Sequence, residues 1–168
     1  MSDIDVVNSH RMEKLVAVVF IGCLTIIFLS GFDIIKSKVR DVKRRIDIKI
    51  LTKALDLYHD KYGKYPDSIN EWQGWDLSIN YNGGKVGFID KLKEEGYIDR
   101  ETKDPINDVA YYYRYQKFKA GVYGCENSFY ILQIANFELP TEDIGQGECP
   151  EFNWVKLAPN GYTIKVFD

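Results

Sequence analysis

The first strong pattern along the chain is an unbroken apolar run, Leu15-Val-Ala-Val-Val-Phe-Ile-Gly-Cys-Leu-Thr-Ile-Ile-Phe-Leu-Ser-Gly-Phe32, with no charge until Asp33. A helix needs about 20 such residues to cross a hydrocarbon core of about 30 Å, and Ile34 and Ile35 extend the run. A cleavable signal peptide would have a shorter apolar core ending in a small-x-small site, and Ser30-Gly31-Phe32 is a poor version of one. The pattern therefore predicts a short tail over 1–14 and a retained transmembrane helix over 15–35. No proline or glycine follows until Gly63, so the helix continues over 36–62 as an amphipathic segment. Ile46, Ile50, Ala54, Leu57 and Tyr58 recur at helical spacing, and Leu51, Leu55, Tyr58 and Tyr62 widen the stripe. The charges of Arg40 to Lys49 read as the solvated face, with Asp41–Arg45 and Lys43–Asp47 spaced for weak i,i+4 pairs. Gly63 is placed as the residue just past the helix, and Pro66 prevents its resumption. A helix from about Met12 to Tyr62 is roughly 75 Å long, of which a bilayer uses less than half. The oily stripe of the remainder must be covered by the rest of the chain or by a neighbouring copy.

The remaining residues, 63–168, read as one globular domain. Residues 67–87 are rich in turn signals, with Trp72, Trp75 and Leu77 placed to pin that loop to a core. Phe88 to Glu95 reads as a short helix stopped by Gly96. Tyr111 to Phe118 and Tyr162 to Phe167 read as strands, and Phe129 to Ala135 is a strand apolar on both faces and therefore central. Asp104-Pro105, Asn107-Asp108 and Gly121 to Asn127 are turns. Strands after helices give an α+β fold: a long N-terminal helix, transmembrane and then amphipathic, packed on a small antiparallel sheet of about three strands.

Composition changes this picture little. In 168 residues, 45% are apolar and 28% charged, a globular balance. The net charge of −3 carries no basic signature, so no nucleic-acid partner is expected. Charge is uneven, however: Lys36 to Lys53 is basic and Glu138 to Glu151 acidic. The acidic stretch, with Glu142, Asp143, Glu148 and Glu151, reads as a solvated loop. His10 and His59 do not converge with other ligands at a metal-site spacing. Gly83-Gly-Lys-Val-Gly87 lacks the flanking strand and Lys-Ser/Thr of a phosphate loop and reads as a turn. No nucleophile or zinc motif is present, so neither an enzyme nor a cofactor is expected. Four of the 12 tyrosines, Tyr111, Tyr112, Tyr113 and Tyr115, would suit a stacking surface but fit better as a strand covering the helix. Cys125 and Cys149, in polar sequence, pair in an oxidising compartment or stand as two thiols in a reducing one.

Three stretches resemble the pseudopilins of type II secretion and the wider type IV pilin-like family, especially the major pseudopilin. They are Glu13-Lys-Leu-Val-Ala-Val-Val-Phe-Ile-Gly-Cys-Leu24, the helix end Ala54-Leu-Asp-Leu-Tyr58 with Gly63-Lys-Tyr-Pro66, and Leu92-Lys-Glu-Glu-Gly-Tyr-Ile98 with Asp104-Pro105 and the Tyr-rich strand. The likeness covers residues 13 to about 138. The sequence departs from the family at the peptidase cut, where Asn8 and Ser9 replace the glycine and the aromatic residue, and only Glu13 matches. The family's calcium loop has no match. The resemblance implies a structural subunit that self-associates into a secretion or pilus-like fibre through its apolar helix. It implies partners in the inner-membrane assembly apparatus, and an assembly role for Glu13, a carboxylate at the membrane edge that either meets Lys14 or Arg11 of a neighbour or stays in the headgroup region. The alternative is a signal-anchored binding module that no longer assembles.

The two orientation signals disagree. Seven basic residues from Lys36 to Lys49 follow the span, which by the positive-inside rule puts the C-terminal domain in the cytoplasm. The resemblance puts it outside, and the expectation follows the resemblance. Outside, Cys125 and Cys149 are expected to close a loop of about 25 residues with a disulfide worth roughly 3 kcal/mol.

Overall fold

The computed structural model describes residues 3–69, 74–79, 87–98 and 102–168, with the side chains of 3–11 and 27–30 left aside. Trp72, most of the 67–87 turn residues and Gly83 to Val86 lie outside the described residues. The chain divides into two compact units, Met1–Val39 and Arg40–Asp168. The first helix, α1, is assigned over Asp3–Tyr62 and is the only element of the first unit among the described residues.

In the second unit, the amphipathic part of α1 ends where expected. Gly63 adopts φ 67° and its N–H donates to the His59 carbonyl at 2.7 Å, the left-handed cap that glycine adopts without Cβ strain. Short strand β1 (Asp76–Leu77) precedes helix α2 (Gly87–Glu94). Gly96, at φ 75°, stops α2: its N–H donates to Lys93 and that of Tyr97 to Leu92, the doubly bonded end of a Schellman motif. Strands β2 (Tyr113–Phe118), β3 (Phe129–Ile134) and β6 (Tyr162–Phe167) form antiparallel ladders in the order β1-β2-β3-β6. A second pair, β4 (Glu148–Cys149) and β5 (Phe152–Asn153), stands apart. The fold is α+β as expected, but the sheet has four strands rather than three. Two-residue strands show no alternation long enough to register in sequence.

All six residues of β3 are buried, as its two-sided apolar pattern requires of a central strand. Its two faces support two cores. Tyr130, Leu132 and Ile134 join Tyr113 and Tyr115 of β2 against Ile48, Leu51, Leu55 and Tyr58 of α1 and Phe88, Ile89 and Leu92 of α2. Burial of each such aliphatic side chain stabilises the unit by about 1.5–3 kcal/mol. On the other face Phe129 and Ile131 pack with Leu77, Phe118, Trp75 and Trp154.

The helix stripe differs from expectation in its angle. Leu51, Ala54, Leu55 and Tyr58 are buried, but Ile46, Ile50, Leu57 and Tyr62 are 37–50% exposed. The core faces about a third of a turn away from the Ile46–Ile50–Leu57 row, and the buried stripe continues instead through Asp47 and Arg44.

Candidate functional site

Function in this chain is read from its helix. In the first unit, Leu15, Val16, Val18, Val19, Phe20, Ile21, Leu24 and Ile26 are all at least half exposed. This is one helix long and apolar enough to cross a membrane. Glu13 and Lys14 are exposed at its start, and Cys23, also exposed, carries a free thiol. Asn8 and Ser9 lie on the helix, with their side chains outside the description.

In the second unit, the opening turns of helix carry a cluster of charges that the sequence reading took as solvated. That reading is overturned: Arg44 and Asp47 are fully buried and Asp41 is 9% exposed. Arg44 donates from Nε and Nη2 to both oxygens of Asp104, at 2.6 and 2.9 Å, and from Nη1 to Asp41 at 2.6 Å and Glu138 at 2.9 Å. The Tyr111 ring covers its guanidinium at 4.7 Å. Burial pulls the Arg44 pKa down, but the bonds to Asp104, Glu138 and Asp41 more than offset this and hold it above its ordinary value. Arg40 makes a two-pronged pair with Glu138 at 2.5 and 2.6 Å. Asp41 also accepts the backbone N–H groups of Glu138 and Leu139. Lys43 pairs with Asp47 as spaced, and Asp47 further accepts the Tyr113 hydroxyl at 3.0 Å. Arg45 does not pair with Asp41: it reaches Asp143 at 2.8 Å and Thr141 at 2.7 Å, and lies over the Phe137 ring.

The chemistry of this cluster is positional. The buried Arg44–Asp104 pair is bidentate, as is the Arg40–Glu138 pair, which fixes direction as well as distance. The segments 104–111 and 137–143 are thereby clamped to the helix, and its rotation is set. The rotation decides which residues remain uncovered: Val42, Ile46, Ile50 and Leu57, at 37–51% exposure. Isolated exposed apolar residues are ordinary, but four at helical spacing form a contiguous face.

On the far side of the sheet Cys125 and Cys149 are joined by a disulfide, with Cα atoms 5.3 Å apart and a sequence separation of 24. It is buried, and it ties the turn at Val122–Gly124 to strand β4 beside the stacked rings of Phe118 and Phe129, with Trp154 packed against both. Such a cross-link contributes about 3 kcal/mol.

The remaining candidates are accounted for by packing. Tyr113 and Tyr115 are buried against the helices, which removes the stacking surface raised by the tyrosine cluster. His59 lies 3.1 Å from Asp168 and stacks on Tyr65. Among the described residues no group of three or more His, Cys, Asp or Glu side chains is placed to hold a metal ion. No protein-family model, curated protein or solved structure matches this chain.

Proposed function

We propose that the chain is a membrane-anchored structural subunit of the type II secretion pseudopilin or type IV pilin-like kind, which assembles into a fibre through its N-terminal helix. The observation that carries this reading is the pairing of two uncovered apolar surfaces on α1. One is the apolar segment after Glu13, and the other is the Val42–Ile46–Ile50–Leu57 face that the domain leaves open. Lipid covers the first, and a neighbour is needed for the second. The domain is placed outside the cytoplasm, which the disulfide supports, since such bonds persist in oxidising compartments. In this reading Glu13 lies at the membrane edge and meets a cation of an adjacent copy in the fibre.

The rival reading, a signal-anchored module that stays monomeric, draws on the altered residues Asn8 and Ser9. The two are separated by placing a single cysteine at Val19 or Ile26 in a Cys23→Ser background and oxidising intact membranes. Dimers linked through either position are expected for the subunit. Persistent monomer at both would overturn it in favour of the module.

A further inference from the structure

The uncovered helix face carries more than an oily strip. Counting by three and four along it gives Val42, Ile46, Lys49, Lys53, Asp56 and Asp60, an unbroken heptad seam. All six are exposed. Its last four positions are two lysines followed by two aspartates. Lys49 and Lys53 stand four apart, as do Asp56 and Asp60, and like charges at that spacing disfavour an isolated helix. None of the four forms an ion pair within the chain among the described residues; Asp56 only accepts the Tyr65 hydroxyl at 3.2 Å. The segregation of charge therefore lacks an internal explanation.

We infer that this seam takes a second copy of the chain, parallel and displaced by one heptad, so that Lys49 and Lys53 of one copy face Asp56 and Asp60 of the next. The inference rests on the proposed membrane anchoring, because copies inserted through the same helix point the same way. With direction fixed, register is decided by charge. An in-register pair sets lysine against lysine and aspartate against aspartate. A shift of seven residues, about 10 Å along the axis, turns both clashes into ion pairs and keeps Ile50 beside Leu57 of the neighbour. The shift also makes the contact heterologous: each copy uses its lysines upward and its aspartates downward. Such a contact does not close on itself, and repeats into an open filament.

The test uses the full chain in membranes, in the Cys23→Ser background. Copies carrying Lys49→Cys are co-expressed with copies carrying Asp56→Cys, and disulfide-linked dimers are sorted by composition. The mixed 49–56 product is expected to exceed the 49–49 and 56–56 products by about tenfold, the order set by exchanging three repulsive pairs for the one attractive pair, Lys53 with Asp60, that the cysteines leave intact. Equal yields, or an excess of 49–49, would overturn the displaced register. Crosslinking at Val19 in the same membranes tells whether the assembly reading falls with it: dimers there, with no 49–56 excess, retain assembly and reject only the register. A second measurement uses charge reversal of these exposed side chains, which touches the core only through the Tyr65 hydroxyl that Asp56 accepts. Lys49→Glu with Lys53→Glu, and Asp56→Lys with Asp60→Lys, should each lose higher oligomers when expressed alone and regain them when co-expressed. Assembly of either variant alone at the wild-type level would also overturn the inference.

Discussion

Two consecutive stretches of the same helix solve the same packing problem in opposite ways. From Ile48 to Tyr58 the face turned to the sheet is apolar, and it meets Tyr115, Tyr130 and Leu132. From Arg40 to Asp47 the face turned inward is ionic, and its partners are Asp104, Glu138 and the Tyr113 hydroxyl. The lower stretch holds by area and tolerates some rotation. The upper stretch holds by directed bonds that accept one rotation only. A buried ionic cluster is weak evidence of added stability, since desolvation offsets much of the Coulomb gain. What it supplies here is orientation, and the orientation is what leaves Val42, Ile46 and Ile50 facing outward.

The comparison is open to direct attack. Removing Arg44 is the most damaging change expected: Arg44→Ala leaves Asp104 buried without its cation and should cost about 3–5 kcal/mol in denaturant unfolding of the full chain in detergent. A loss smaller than that of Leu51→Ala would reverse the ranking of the two stretches. Next comes alkaline pH, which probes the lower stretch. Burial, then the neighbouring Asp56, pushes the Tyr65 phenol up to about 12, against an ordinary 10.0. A raised acid of this kind contributes stability that is complete below pH 10 and lost as pH rises towards 12. The wild type should therefore lose on the order of 2 kcal/mol more than Tyr65→Phe across that window. Identical alkaline limbs would show that Tyr65 is already open to solvent. The smallest effect is expected outside both contacts: Ile46→Ser should shift stability by less than about 0.5 kcal/mol while lowering the yield of crosslinked dimers. A large loss of stability would mean that Ile46 packs inward after all.

Much of the fold was legible from periodicity. Tyr113 to Phe118, Phe129 to Ile134 and Tyr162 to Phe167 stand as strands where alternation or a two-sided apolar run placed them, and Gly63 and Gly96 end their helices. The inward face of α1 was misjudged because charge was equated with solvent. The signal was present: Arg44, Asp47, Leu51, Ala54 and Tyr58 follow one 3-4-3-4 row, so the core stripe runs straight into charged residues. What no local pattern reveals is the partner, since Asp104 lies 60 residues and Glu138 94 residues from Arg44. The row of Ile46, Ile50 and Leu57 is equally periodic, yet it lies outside the core. Periodicity finds apolar faces but does not say which is covered by the chain itself. Of the candidate site residues, Cys125 and Cys149 are joined, while the assembly role proposed for Glu13 concerns a neighbouring copy.

The long sequence separations in the ion cluster also set an order of events. A ribosome releases the helix first, yet Glu138 and Asp143 emerge some 94–98 residues later, and strand β6 last of all. Until then Arg44 and Asp47 have no low-dielectric pocket to enter, and the apolar row below them has no sheet beneath it. Contacts so distant in sequence form slowly and leave oily surface open in the meantime. Under the proposed anchoring, insertion of the apolar segment shelters the first oily surface to be made before the last strand is synthesised.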